Sequence, residues 1–158
     1  AFYDCFSLAS VNFPKCTSIG QGAFSSCTSL ASVNFPVCIS IGNSAFSGCH
    51  SLTSVNFPVC ISIGNSAFCS CRSLTSVSFP ACTNIGKNAF RYCISLMNLT
   101  LANSSIATLS DIYAFASTPM SLSSYTGSFG SIFVPASLVE AYKTATNWTY
   151  FSSRFVGV

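Results

Sequence analysis

Charge is what this sequence has least of. Of 158 residues, six are Lys or Arg and three are Asp or Glu, so charged side chains make up 6%, against about 25% in ordinary soluble domains. The acids are Asp4, Asp111 and Glu140, and His50 is the single histidine. General acid–base chemistry and metal ligation draw on those residue types, so the composition nearly excludes an enzyme and no cofactor is expected. The net charge of +3 comes from six scattered basic residues, too sparse for a nucleic-acid footprint. No apolar run approaches about 18 residues, so no membrane-spanning helix is expected. Disordered chains are polar and charge-rich. Here half the residues are hydrophobic and 14% are aromatic, which excludes disorder and assures a core.

What replaces charge is serine. There are 31 serines, with many Thr and Asn, and these short polar groups must supply the hydrophilic surface. They are good at hydrogen bonding and give little repulsion against association. Such a surface suits a contact face.

The chain is built from one repeated unit. Phe2, Phe24, Phe46, Phe68 and Phe90 recur every 22 residues, as do Cys5, Cys27, Cys49, Cys71 and Cys93. Val11, Val33, Val55 and Val77, then Phe13, Phe35, Phe57 and Phe79, keep the same register. Cys16, Cys38, Cys60 and Cys82 form a second thiol series, followed by Ile19-Gly20 and its copies. A fixed period of this size means stacked coils, each placing a residue above its copy. Leu30, Val33, Phe35, Cys38, Ile41, Ala45, Phe46 and Cys49 must face inward in one coil. Val33 and Phe35 alternate with Ser32 and Asn34, a period of two that predicts a strand. Pro36 ends it, having no N–H to give a ladder. Gly42 is expected to permit a tight bend, and residues 43–49 to make a short helical turn on the far side of the coil.

The outward faces of successive strands then form two polar rows. One is Ser10, Ser32, Ser54, Ser76 and Asn98; the other is Asn12, Asn34, Asn56, Ser78 and Thr100. These ten residues are the expected binding face. Nine cysteines lie on the two inward series and read as small buried apolar groups with weak S–H donors. In-register parallel strands point their Cβ vectors side by side, which disfavours disulfides between coils. Zinc is disfavoured as well, with no second His and no pair of C-x-x-C knuckles. Cys69 stands apart: its equivalents are Ser25, Ser47 and Arg91, so an exposed thiol is expected there, free or crosslinked to another chain. His50, with equivalents Thr28, Arg72 and Ile94, reads as a surface residue. Arg72, Lys87 and Arg91 give the later coils a weakly basic side, a solvated face or a contact for an anionic glycan or acidic partner. Three N-x-S/T sequons begin at Asn98, Asn103 and Asn147.

These residues resemble a leucine-rich repeat. Leu30-x-x-Val33-x-Phe35-x-x-Cys38 matches the L-x-x-L-x-L-x-x-N/C frame. Ile41-Gly42-x-x-Ala45-Phe46-x-x-Cys49 is similar to the BspA-like (Treponema pallidum-type) class. The stretch from Ile132 to Lys143, followed by Asn147-Trp148, resembles the closing segment of such arrays in bacterial surface proteins. The resemblance implies a non-catalytic, secreted or cell-surface protein that binds other proteins or host matrix. It carries no shared set of binding residues.

The expected fold is an α/β solenoid. It is a right-handed leucine-rich-repeat coil of 22-residue repeats over residues 1–115, with a short parallel sheet along one face. Residues 116–158 are expected to form an irregular last coil and a C-terminal cap. Ala114-Phe115 falls 25 residues after Ala89-Phe90, so that coil is lengthened, and residues 116–131 read as a loop. Ile132–Val134 reads as a strand, and Ser137-x-x-Glu140 as a capping box opening a helix from Leu138 to about Thr146. Trp148, Tyr150 and Phe151 are expected to cover the core, and residues 155–158 to add an edge strand. At the other end Ala1-Phe2 aligns with Ala23-Phe24, in mid-repeat. The chain is then either cut from a longer protein or docked at that end onto a partner. Another copy stacked head to tail would propagate into a filament.

The expected function is extracellular or cell-surface binding or adhesion to a protein or glycan on another cell or in the matrix. The alternative is a structural subunit of an extracellular filament, assembled through the solenoid ends.

Overall fold

The computed structural model describes residues 1–93, 95–96, 98–100, 132–134, 139–144, 152–153 and 155–157. The lengthened coil at 114–115, the loop 116–131, the capping serine at 137 and the covering aromatics at 148, 150 and 151 lie outside them.

In chain order the elements are β1 (Ser10–Asn12), β2 (Ser18–Ile19), β3 (Ser32–Asn34), β4 (Ser40–Ile41), β5 (Ser54–Asn56), β6 (Ser62–Ile63), β7 (Ser76–Ser78), β8 (Asn84–Ile85), β9 (Asn98–Thr100), β10 (Ile132–Val134), α1 (Val139–Thr144) and β11 (Phe155–Gly157). Every strand pairing among them is parallel, and from β1 to β9 the partner is the residue 22 positions on, as in Val11↔Val33 and Ile41↔Ile63. The chain is therefore a parallel-strand solenoid with one coil per repeat. The odd-numbered strands from β1 to β9 follow one face in two parallel ladders, β1–β3 and β5–β7–β9; β10 pairs with β9, and β11 with β10.

Two further ladders join the coils. The pairs β2, β4, β6 and β8 form a second parallel sheet at the Ser-Ile step. On the turn side, Phe24 N–H donates to Ala45 C=O at 2.7 Å and Ser26 N–H to Ser47 C=O at 2.7 Å. The next coil repeats this from Phe46 to Ala67 and from Gly48 to Cys69, at 2.7 and 2.8 Å. Neighbouring coils are thus joined by up to three ladders, the strand-face one being interrupted between β3 and β5, and this satisfies backbone groups that would otherwise be buried unpaired.

The third ladder corrects the expected helical turn. Among the described residues, the only α-helix is the six-residue α1, in the tail rather than in the coils. A helix at residues 21–27 would need each N–H to bond four residues back. Here Gly22, Phe24 and Ser26 give theirs to the next coil, while Ala23, Ser25 and Cys27 close three-residue turns, as in Cys27 N–H to Phe24 C=O at 3.2 Å. Two left-handed residues per coil also break any helix. They fall at Gly22, Ser44, Ser66 and Asn88, and at Asp4, Ser26, Gly48, Ser70 and Tyr92, with φ between 54 and 76°. The coils are β and turn, and the α part of the expected α/β class is not found in them.

The core is a pair of aromatic columns. Phe2, Phe24, Phe46, Phe68 and Phe90 stack with centroids 5.2 to 5.4 Å apart and planes within 11° of parallel. Phe35, Phe57 and Phe79 stack beside them at 5.5 to 6.0 Å, and the columns meet tilted or edge-on. Of the eight positions expected inward in the second coil, all are buried except Val33, which is half-buried.

Gly42, Gly64 and Gly86 have a different role from the expected bend. None has a positive φ. A Cβ on Gly64 would lie 2.5 Å from Asn43 N, and one on Gly86 2.5 Å from Asn65 N. These glycines let one coil's backbone lie against the next. Asn43 Oδ1 and Asn65 Oδ1 then accept the N–H of Asn65 and Lys87 at 2.8 Å.

Candidate binding surfaces

The expected face forms on the odd-numbered strands because the strand period of two sends Val inward and its neighbours outward. Ser10, Asn12, Ser32, Asn34, Ser54 and Asn56 are exposed, and Ser76 and Ser78 are half-buried. The register places Ser10 beside Ser32, Asn12 beside Asn34, Ser54 beside Ser76, and Asn56 beside Ser78. Asn98 and Thr100 continue it by their backbone, opposite Ser76 and Ser78. Asn34 Nδ2 donates to Asn12 Oδ1 at 2.9 Å, so side chains also couple up the stack. Thr75 Oγ1 donates to Thr53 C=O at 3.0 Å along the adjoining row. The face offers short uncharged donors and acceptors on rigid backbone.

All ten cysteines are free. On one ladder Cys27, Cys49, Cys71 and Cys93 donate S–H to the carbonyls of Phe2, Phe24, Phe46 and Phe68, at 2.9 to 3.2 Å. On the other, Cys16, Cys38, Cys60 and Cys82 donate two residues forward, to Ser18, Ser40, Ser62 and Asn84, at 3.0 to 3.3 Å. Burial pushes the Cys60 and Cys82 thiols up to about 12 and about 11, and raises Cys27, Cys38, Cys49 and Cys71 too. These are structural thiols, kept protonated by an apolar surround. Cys69 is half-buried rather than exposed, with its sulfur 3.7 Å from Ser70 Oγ. Its backbone is in the turn ladder, which draws the position against the next coil.

Two other surfaces stand beside that face. On the turn side, Arg72 and Lys87 are exposed, and Arg91 lies 4.6 Å over the Tyr92 ring with Nη2 donating to the Tyr92 hydroxyl at 2.8 Å. His50 is exposed, as expected. The other was missed. At the corner between the two sheets, Val37, Ile39, Val59 and Ile61 are 41 to 48% exposed. The signal was in the sequence: the equivalents are Lys15 and Thr17 below, and Ala81 and Thr83 above, so two coils carry branched apolar residues where their neighbours do not. Among the described residues, no group of His, Cys, Asp and Glu is placed to hold a metal ion, and no helix is long and apolar enough to cross a membrane.

The profile of the BspA type leucine rich repeat region matches residues 1–133 in six copies. The chain belongs to that family. Stacked repeats of this kind generally serve as binding scaffolds rather than catalysts. The solved structure of a leucine-rich repeat protein from Bacteroides ovatus is similar, at 31% identity and a TM-score of 0.64; the alignment covers 71% of this chain and 29% of that one. The leucine rich repeat protein of T. pallidum is 40% identical, with a TM-score of 0.61, over 63% of this chain and 48% of that one. The BspA-type chain thus spans less than half the length of either. No curated protein matches it.

Proposed function

We propose that this repeat array is the contact part of an extracellular or cell-surface adhesion module that binds a protein or glycan on another cell or in the matrix. The contact surface is the sheet face from Ser10 and Asn12 to Asn98 and Thr100. The observation that carries the reading is the pair of in-register polar rows on rigid strands, with charge nearly absent. An uncharged face of short side chains orders little on binding and so loses little side-chain entropy. It selects partners by hydrogen-bond pattern rather than by long-range attraction.

The test is binding of the purified chain to a defined panel of immobilised matrix proteins and glycans. The triple variant N34K/N56K/S78K places three bulky cations on the face without touching the core. Loss of binding at unchanged thermal stability is expected. Unchanged binding removes this face from consideration. Surface labelling of intact source cells tests the location.

A further inference from the structure

We propose that the corner patch of Val37, Ile39, Val59 and Ile61 is the contact of a closed, side-by-side dimer, in which a second copy lays the same patch against it with its coils running the opposite way. This goes beyond the adhesion reading and does not rest on it, since the patch is off the sheet face.

The patch belongs to the body of the solenoid. Its residues lie on the second and third coils, each of which has a coil stacked on both sides, so their exposure is not that of a chain end. Of the five large hydrophobics after Phe13 that are exposed among the described residues, four are here and the fifth is Tyr92.

The backbone fixes their positions. Ile39 N–H donates to Thr17 C=O at 2.7 Å, Ile61 N–H to Ile39 C=O at 2.8 Å and Thr83 N–H to Ile61 C=O at 2.9 Å. The row Thr17, Ile39, Ile61, Thr83 is therefore stacked in register, with Lys15, Val37, Val59 and Ala81 two residues earlier in each coil. Between each Val and Ile lies a buried cysteine, Cys38 or Cys60, whose S–H is tied to the carbonyl of Ser40 or Ser62. With the cysteine turned in, its two neighbours are turned out. Burying β-branched side chains already held on a rigid backbone loses little entropy.

The patch matches itself. Residues 32–46 and 54–68 have the same sequence, so it is a two-by-two array of Val-Ile pairs at the spacing of one coil. A two-fold axis running across the coils sets Ile39 on the partner's Ile61 and Val37 on the partner's Val59. Each row then meets a row of its own kind at its own pitch.

Charge chooses the direction. Lys15 is the sole ionisable residue in the two rows. Were the coils to run the same way, the two Lys15 ammonium groups would share one end of the contact. With the coils opposed, Lys15 lies over the partner's Ala81, Thr17 lies over the partner's Thr83, and the ammonium groups stand at opposite ends. Like charges set together across an interface are costly, so the opposed arrangement wins.

Size sets the strength. Each patch exposes roughly 300 Å² of apolar surface, against about 800 Å² per partner in a stable complex, so the dimer is weak, with a dissociation constant of about 0.1 to 1 mM. A net charge of +3 offers little opposition. The contact is isologous and occupies its own patch on both copies, so association stops at two.

Sedimentation equilibrium of the full chain, in reductant and over a series reaching about 2 mM, tests this. The weight-average mass is expected to rise from the 16.6 kDa of one chain and level off at twice that. The variant I39T/I61T copies Thr17 and Thr83 of the same row, so the fold is retained, and it should weaken association about tenfold or more. A81E sets a carboxylate opposite the partner's Lys15, twice in each dimer, and should tighten association about three- to tenfold at low salt. S29E makes the same change of charge at an exposed residue off the patch and is its control. A monomer at every concentration overturns the proposal, as do a mass that climbs past two chains and association that I39T/I61T leaves unchanged. An A81E variant that associates no more tightly than S29E overturns the opposed arrangement.

Discussion

Cys71 Sγ donates to the carbonyl oxygen of Phe46, one coil away and 25 residues earlier, at 3.1 Å. The same oxygen accepts the N–H of Cys49 at 3.1 Å. Thiol, turn and neighbouring coil therefore meet at one carbonyl. Cysteine recurs there because it is small enough for a filled core and still carries a donor.

Cys71→Ala removes that donor and leaves a small void. A loss of about 1–2 kcal/mol is expected in urea unfolding. The same geometry predicts reactivity. Cys5, Cys16 and Cys69 are half-buried and the other seven are buried. A chromogenic thiol reagent should therefore titrate three groups in the native protein and the remaining seven only on unfolding. Ten fast thiols would contradict the buried ladders.

Stability should fall in alkali. An unfolded thiol ionises near 9.0, whereas Cys82 and Cys60 in the fold hold their protons to about 11 and about 12. Above pH 9 the unfolded chain therefore binds fewer protons than the native one, and the slope of stability against pH is negative. The contribution is fully present below pH 9 and is lost as pH rises toward 11 to 12. The urea midpoint at pH 10.5 should lie well below that at pH 7; an unchanged midpoint would remove the thiols as the cause.

Gly64→Ala and Gly20→Ala should part company. A Cβ at Gly64 meets backbone at 2.5 and 2.6 Å, while one at Gly20 meets nothing within 4 Å. Backbone cannot rotate away, so Gly64→Ala should cost about 3 kcal/mol or more, or prevent folding. Gly20→Ala should be neutral or stabilise by up to about 1 kcal/mol through the unfolded chain. Equal effects would mean that the close approach does not matter.

Ser66→Gly should stabilise by about 0.5–1 kcal/mol, because Ser66 holds a φ of 55° that glycine adopts without strain. Gly48→Ala, at φ 76°, should lose about 1 kcal/mol. Thermal melting of the pair checks both signs.

Much of this was legible in spacing. The period of 22 fixes which Val, Phe, Ile and Cys are stacked, and alternation around Val33 and Phe35 locates the strands. Helical content was misjudged because propensity describes one segment, whereas Phe24 and Ser26 bond to a neighbouring coil. Gly42 was misread for the same reason: a bend and a close approach both demand glycine, and only coordinates separate them. The second sheet at Ser18-Ile19 was not anticipated, two residues being too short for a period of two. The corner patch was visible only as a departure from the repeat, and attention to what recurs hides what does not.

Residues 32–46 and 54–68 are identical, letter for letter. Each coil touches only its neighbours, so a gene can gain or lose 22 codons between such copies without disturbing register. Recombination at that point would also duplicate the Val-Ile pair. Every added coil would lengthen the exposed apolar strip by one row, so drift in repeat number would tune stickiness as well as length.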